Sequence, residues 1–191
     1  NQKDVIQDIE LLSSQVERCN QILKRLSLNP NEEDEFIDED LSLKEYLKQI
    51  VISFKETSNK NFILNFDNDQ NPKKITKSIE IVYGLRNFIG NANKFSNTSI
   101  FISLKSDNKF SEIIIEDDGK GYSNDIMSKI GEPYLKSNSQ SDKKNSGLGL
   151  GIFIGKTLLE KNFATIYFGN SLTRSGAQVI IKWKNKDLFN I

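Results

Sequence analysis

Asn87 and Asn91 stand four residues apart, with Lys94 and Phe95 close behind. On a helix that spacing projects both amides from one face. An amide oxygen is a neutral, hard ligand, and it suits Mg2+ when phosphates and water supply the rest of the coordination shell. Lys94, three residues beyond Asn91, shares that side and can neutralise phosphate charge. Phe95 can cover the flat face of a base. Downstream, Asp117-Asp118-Gly119-Lys120-Gly121 places a carboxylate beside a turn. Asp117 there can accept a hydrogen bond from an exocyclic amine, which separates adenine from guanine. Gly119 and Gly121 let backbone come close to a base. Last, Gly147-Leu148-Gly149-Leu150-Gly151 precedes a helical run, so that backbone N–H groups can face a phosphate. Each motif alone is common. In this order they predict a pocket for ATP and one divalent metal, with the amide oxygens of Asn87 and Asn91 on offer to the metal.

The elements that must position these residues follow from the pattern. Residues 42–54 read as a helix capped by Ser42, with Leu43, Leu47, Ile50, Val51 and Phe54 on one face. Asn61 to Phe66 alternates as a strand. Ile75 to Phe95 reads as one long helix, with Ile79, Val82, Tyr83, Leu85, Phe88 and Ile89 toward a core. Ile100–Leu104 and Ile113–Glu116 are strand runs. Leu148–Lys161 is helical, and Thr165–Phe168 and Gln178–Trp183 close as strands around a turn at Ser175-Gly176. Helices on one face of a mixed or antiparallel sheet give an α+β two-layer sandwich. Between Tyr122 and Gly147, Gly131-Glu132-Pro133-Tyr134 forms a stiff anchor. Residues 136–146 hold no aliphatic side chain, which predicts a lid that orders only over bound phosphates.

Ahead of this block, residues 4–27 carry Val5, Ile9, Leu12, Val16, Cys19, Leu23 and Leu26 at alternating steps of four and three. That is a heptad seam, and it predicts one long helix whose partner lies outside this chain. Asn29-Pro30 ends it, and an acidic stretch follows, read as a solvated hinge. The expected organisation is residues 1–28 as a helix whose partner is another subunit, a further segment or both, 29–41 as hinge and 42–191 as a nucleotide-binding domain.

Composition narrows the chemistry. The chain has 191 residues, 26 Lys plus Arg against 26 Asp plus Glu, one cysteine and no histidine. A balanced charge gives no field for nucleic acid, so none is expected as a partner. The histidine count excludes histidine-based catalysis and most zinc sites within these residues. A single cysteine excludes an intrachain disulfide. The first residue is Asn1, so a fragment of something longer is expected.

At the same residues the chain closely resembles the catalytic and ATP-binding domain of bacterial sensor histidine kinases, within the wider ATPase superfamily of gyrase, Hsp90 and MutL. Asn87–Phe95 looks like the N box, Asp117–Gly121 the first glycine box, Gly131–Tyr134 the F box and Gly147–Gly151 the second glycine box. The resemblance implies Asn91 on the metal, Asn87 and Lys94 at the phosphates, and Asp117 on adenine. It implies Phe95, Gly119, Gly121, Tyr134, Gly147, Leu148, Gly149, Leu150 and Gly151 around the nucleotide. Residues 1–28 resemble the second helix of the dimerisation and phosphoacceptor hairpin. A homodimer through that helix, a phosphoaccepting histidine on the preceding helix, and a response regulator as downstream partner are therefore implied.

Glu17-Arg18-Cys19, Tyr83-Gly84-Leu85, Gly131-Glu132-Pro133-Tyr134 and Phe153–Glu160 look like the redox-responsive RegB/PrrB kinases of proteobacteria. That subfamily is anchored in the inner membrane with this portion cytoplasmic, and the resemblance makes Cys19 a redox candidate. Two other readings fit the motifs: an ATPase or serine kinase of the same superfamily, or a nucleotide-sensing dimerisation module without kinase activity. The hydrolysing members place a glutamate one turn before the metal-binding asparagine, and here that position is Asn87. The heptad helix speaks against the serine kinase.

Overall fold

The computed structural model describes residues 41–70, 73–75, 78–133 and 150–189. The chain divides into two units, Asn1–Phe36 and Ile37–Ile191, and the described residues all fall in the second. The expected heptad helix with Cys19, the acidic hinge, Tyr134, the 136–146 segment and Gly147–Gly149 lie outside them.

Five strands form one sheet in the order β2 (Asn61–Asp69), β4 (Ser99–Ser106), β5 (Phe110–Asp117), β7 (Ala177–Lys184), β6 (Thr165–Asn170). β2 runs parallel to β4, and every other pairing is antiparallel, so the sheet is mixed. Burial alternates strictly along β5 and β7, which buries Ile113, Ile115, Val179, Ile181 and Trp183 on one face. That period of two is what a sheet covered on one side requires. The covering layer is helical: α1 (Leu43–Lys55), α2 (Ile79–Phe95) and α4 (Gly151–Lys161) join the same core. A short β1 (Leu41–Ser42) pairs with β3 (Lys74–Ile75), and single turns α3 (Asn124–Met127) and α5 (Asn185–Leu188) complete the described elements. The fold is thus the expected two-layer α+β sandwich.

Local signals explain the boundaries. Ser42 caps α1 in a capping box: its hydroxyl accepts from Glu45 N–H, and the Glu45 carboxylate accepts from Ser42 N–H at 2.8 Å. The α1 stripe includes Tyr46 as well as the expected leucines and isoleucines, while Phe54 is half-buried and stacks on Phe62 at 6.2 Å. The helix expected from Ile75 begins instead at Ile79. Ser78 accepts from Ile81 N–H and caps it there, leaving Ile75 to pair with Leu41 in the small sheet. The later start puts Ile81 in the core in place of Ile79 and leaves Tyr83 half-buried. Periodicity could not show this, because Ile75 fits the helical stripe equally well; the cap decides.

α2 and α4 cross at close range because two glycines face the contact. A Cβ on Gly84 would lie 2.5 Å from Leu159 Cγ, and one on Gly155 would lie 3.2 Å from both Asn87 Cβ and Gly84 O. Leu159 is fully buried. Below the crossing, Asn162 ties three elements together. Its carbonyl accepts from Trp183 Nε1 at 3.0 Å, its Oδ1 accepts from Ser78 Oγ, and its Nδ2 donates to Leu158 O. The helix pair that carries Asn87 is therefore fixed to the sheet by both packing and hydrogen bonds. Gly84→Ala overpacks this crossing, and despite alanine's better helix propensity it should cost about 1–2 kcal/mol of stability. A lower urea midpoint at unchanged slope is the expected reading.

Candidate functional site

Asp117 is the last residue of β5 and is 3% exposed. Its Oδ1 accepts two backbone hydrogen bonds, from Gly119 N–H at 2.8 Å and from Ala177 N–H at 3.2 Å. One comes from the turn that follows it, the other from the start of β7, sixty residues away. Both glycines around it are sterically obligatory. A Cβ on Gly176 would overlap the Asp117 backbone carbonyl and Oδ1, and one on Gly119 would overlap the Phe95 carbonyl. The carboxylate is thus walled in by backbone, and its Oδ2 makes no hydrogen bond among the described residues. Burial pushes its pKa up from the ordinary 3.8, the two N–H donors pull against that, and neighbouring Asp118 adds to the rise.

Asp118 behaves oppositely. Burial would raise it, but bonds from Thr98 Oγ1 and from the backbone N–H groups of Thr98, Ser99 and Asn97 outweigh that and hold it at about 2. It fastens the α2–β4 connection to the end of β5. The doublet therefore divides: Asp118 is structural, and Asp117 keeps one oxygen uncommitted.

Gly121 has φ +71°, a conformation that glycine adopts without penalty. It sends the chain into Tyr122, whose backbone is held at both ends by one side chain. Asn170 Oδ1 accepts from Tyr122 N–H at 2.7 Å, and Asn170 Nδ2 donates to Tyr122 O at 3.0 Å. The Tyr122 ring lies edge-on to Phe168 at 6.4 Å, and Phe168 in turn meets Phe88 of α2 at 5.9 Å.

On α2, Asn87 Nδ2 donates to Tyr83 O at 2.8 Å, which turns Oδ1 outward. That oxygen faces the first turn of α4, 3.6 Å from where a Cβ on Gly151 would stand. The N-terminus of α4, where free N–H groups gather, thus meets the amide face of α2. Asn91 is half-buried one turn further on. Lys94 and Phe95 end the helix: Phe95 is 51% exposed, and Lys94 Nζ sits 5.2 Å from its ring centre. The structure therefore gathers Asn87, Leu150 and Gly151 at the α2–α4 contact, and Phe95, Asp117 and Gly119 at the end of β5. Lys94 stands on exposed surface beside Phe95.

Metal chemistry fits these donors in one form only. Among the described residues no group of three or more His, Cys, Asp or Glu could hold an ion. A neutral pair of amides is too weak a cage alone, but it suits a Mg2+ that arrives on phosphates with its own waters.

Several residues at the site escape sequence reading. The Ser175-Gly176 turn is legible, but not that Gly176 lies against Asp117. Asn170 carries no motif signal at all. Gly84 and Gly155 look like weak points in helical patterns, and only a crossing helix explains them.

A half-buried amide face, a buried carboxylate beside a glycine turn, and a helix N-terminus over a mixed sheet define an ATPase-type α/β sandwich. The chain belongs to the histidine kinase-, DNA gyrase B- and HSP90-like ATPase family, whose model matches residues 76–187. It is 30% identical over 175 residues to the sensor histidine kinase RegB of Cereibacter sphaeroides, covering 86% of this chain and 37% of that protein. It is also 30% identical over 78 residues to the sensor histidine kinase CpxA of Escherichia coli, covering 41% of this chain and 17% of that one. The chain thus spans little more than a third of the RegB length. In fold it is similar to the mycobacterial sensor histidine kinase MprB, with TM-score 0.63 and 18% identity over 76% of this chain and 97% of that one. The catalytic domain of histidine kinase ThkA gives 0.62 and 19% over 75% and 95%.

Asp117→Asn keeps the Oδ1 acceptor and removes the buried charge. An acid whose folded pKa is raised loses stability as pH climbs from its unfolded value through the raised one. The variant should therefore be at least as stable as the parent at pH 7, with a flatter stability profile just above pH 3.8. Asp118→Ala should do the reverse. It loses about 1–2 kcal/mol at neutral pH, an allowance reduced for exposure. The parent's corresponding stabilisation, present above the ordinary value, fades as pH falls toward about 2. Chemical denaturation across pH 2–8 reads both.

Proposed function

We propose that this chain is the ATP-binding catalytic portion of a two-component sensor histidine kinase. In this reading it presents the ATP γ-phosphate to a histidine on a helix outside these residues, and the phosphoryl group passes from there to a response regulator. The observation that carries the reading is the walled-in Asp117, with one free carboxylate oxygen, on the same domain as an amide-lined helix that meets the start of α4. The likeness to RegB across most of the chain supports it, as does the fold shared with a full-length kinase, ShkA, solved in complex with AMPPNP.

Each group has a task its geometry suits. Asp117 Oδ2 accepts from the 6-amino group of adenine, a position where guanine offers a carbonyl that a carboxylate repels. Asn91 contributes an amide oxygen to Mg2+, and Asn87, already oriented by Tyr83 O, adds a polar acceptor beside the phosphates. When bound, the metal neutralises phosphate charge as the phosphoryl group leaves. Lys94 supplies a cation at the rim, and Phe95 an exposed ring for the base. Leu150 and Gly151 open α4, whose N–H groups face the phosphates; Gly147, Leu148 and Gly149 precede it in sequence, and the family resemblance assigns those three and Tyr134 to the nucleotide. Since neither Asn87 nor Asn91 titrates, the domain positions the donor and leaves proton removal to the acceptor's side. The whole protein, on this reading, is a dimer through residues 1–28 and is anchored in a membrane by segments beyond this chain. Among the described residues no helix is long and apolar enough to cross a membrane.

Calorimetry should show ATP and ADP binding in the presence of Mg2+. Asp117→Asn should weaken ATP at least tenfold while bringing ATP and GTP closer together. Asn91→Ala should remove most of the metal-dependent affinity. With radiolabelled ATP, the chain alone should take up no acid-labile phosphate, since it has no histidine. A second polypeptide carrying the upstream kinase helix should become labelled in trans. No adenine-nucleotide binding at millimolar ligand would end this reading.

A further inference from the structure

Tyr122 holds a buried hydroxyl that has no hydrogen-bond partner among the described residues. Such a group is costly in a finished core, and it persists where a ligand or water completes it. Its surroundings are built rather than accidental. The residue follows the Gly119–Gly121 turn directly, its backbone is clamped at N–H and C=O by Asn170, and its ring rests on Phe168. The hydroxyl also lies within electrostatic reach of Asp117: burial raises the phenol pKa strongly, and the carboxylate raises it further. Tyr122 is therefore neutral at every physiological pH, and its O–H is available as a donor.

The site so presents two unmatched groups, an acceptor at Asp117 Oδ2 and a donor at Tyr122 Oη. The Watson–Crick edge of adenine carries the complementary pair: the 6-amino group donates and ring nitrogen N1 accepts. Guanine carries the reverse pair at the same atoms, a carbonyl acceptor and an N1–H donor. Resting on the ATP-binding reading above, we propose that Tyr122 is a second base-reading residue, its hydroxyl donating to adenine N1 directly or through one water while Asp117 takes the 6-amino group. Asn170 is its positioning residue, since it sets the backbone from which the ring extends.

The test is calorimetric titration of ADP and 1-deaza-ADP, which lacks the N1 acceptor, into wild type and Tyr122→Phe. Wild type should bind 1-deaza-ADP roughly tenfold more weakly than ADP. Tyr122→Phe should bind ADP roughly tenfold more weakly than wild type and make no further distinction between the two ligands. Its ligand-free melting temperature should be equal or higher, because an unmatched buried hydroxyl has been removed. If Tyr122→Phe binds ADP as wild type does, or if the two losses multiply, the hydroxyl does not read N1. A lower ligand-free melting temperature with unchanged N1 discrimination would make Tyr122 a packing residue only. These outcomes leave the ATP-binding reading standing. A wild type that binds no adenine nucleotide overturns that reading, and this proposal with it.

Discussion

A carboxylate shut in by backbone governs the functional end of this domain. Asp117 is held by N–H groups from Gly119 and Ala177, two segments far apart in sequence. This arrangement demands that β5 and β7 be adjacent, that their ends be level, and that Gly119 and Gly176 carry no side chain. It also leaves a negative charge with no ion pair among the described residues, in a place that disfavours charge. Two hydrogen bonds to one oxygen are enough to hold the group in place but not to satisfy it. The sheet thereby holds a polar acceptor in place before any ligand arrives, which lowers the ordering cost of binding.

The helical layer answers a different requirement. Asn87 must face the start of α4, and the two helices can approach so closely only because Gly84 and Gly155 lie at their crossing. A side chain at Gly84 would press on Leu159, and one at Gly155 on Asn87 Cβ and Gly84 O. The internal bond from Asn87 Nδ2 to Tyr83 O matters for the same reason. It uses the donor half of the amide within the helix and leaves the oxygen outward, so the exposed half is the half that binds cations. Asn162, bonded to Ser78, Leu158 and Trp183, transmits this placement to the sheet. Site geometry and core packing are one structure here, and a packing change at Leu159 would be felt at Asn87.

How much of this was legible in the sequence depends on the range of the interaction. Residues defined by local pattern were readable: the Ser42 cap, the alternating strands, the amides one turn apart, and the acidic residue before a glycine turn. The two-layer sandwich followed from the order of elements. The start of α2 was misread because apolar spacing continues back to Ile75, and only the Ser78 cap, docked to Asn162, ends it. Long-range partners were not readable. Nothing near Gly176 announces Asp117, nothing near Asn170 announces Tyr122, and nothing in Asp117-Asp118 says which carboxylate is tied down. Asp118 proves to be the tied one only because Asn97, Thr98 and Ser99 close around it.

The unsatisfied groups share a direction of argument. In a region serving stability alone, the buried Tyr122 Oη would find a partner, because such an omission costs about 1–3 kcal/mol. It is instead left open, five residues after an Asp117 whose Oδ2 takes no hydrogen bond among the described residues, while the neighbouring Asp118 is fully bonded. Selective incompleteness of this kind is what a binding site requires: local rules are met around it and broken within it. A ligand that supplied the missing partners would recover that free energy as affinity. It would stabilise the fold in proportion to the logarithm of its concentration over its dissociation constant. Neither Asn87 nor Asn91 titrates, so these two amides offer a nucleotide polar atoms but no base to activate water. On the function proposed above, such a site binds and orients a phosphate donor, and the nucleophile that receives it comes from outside these residues.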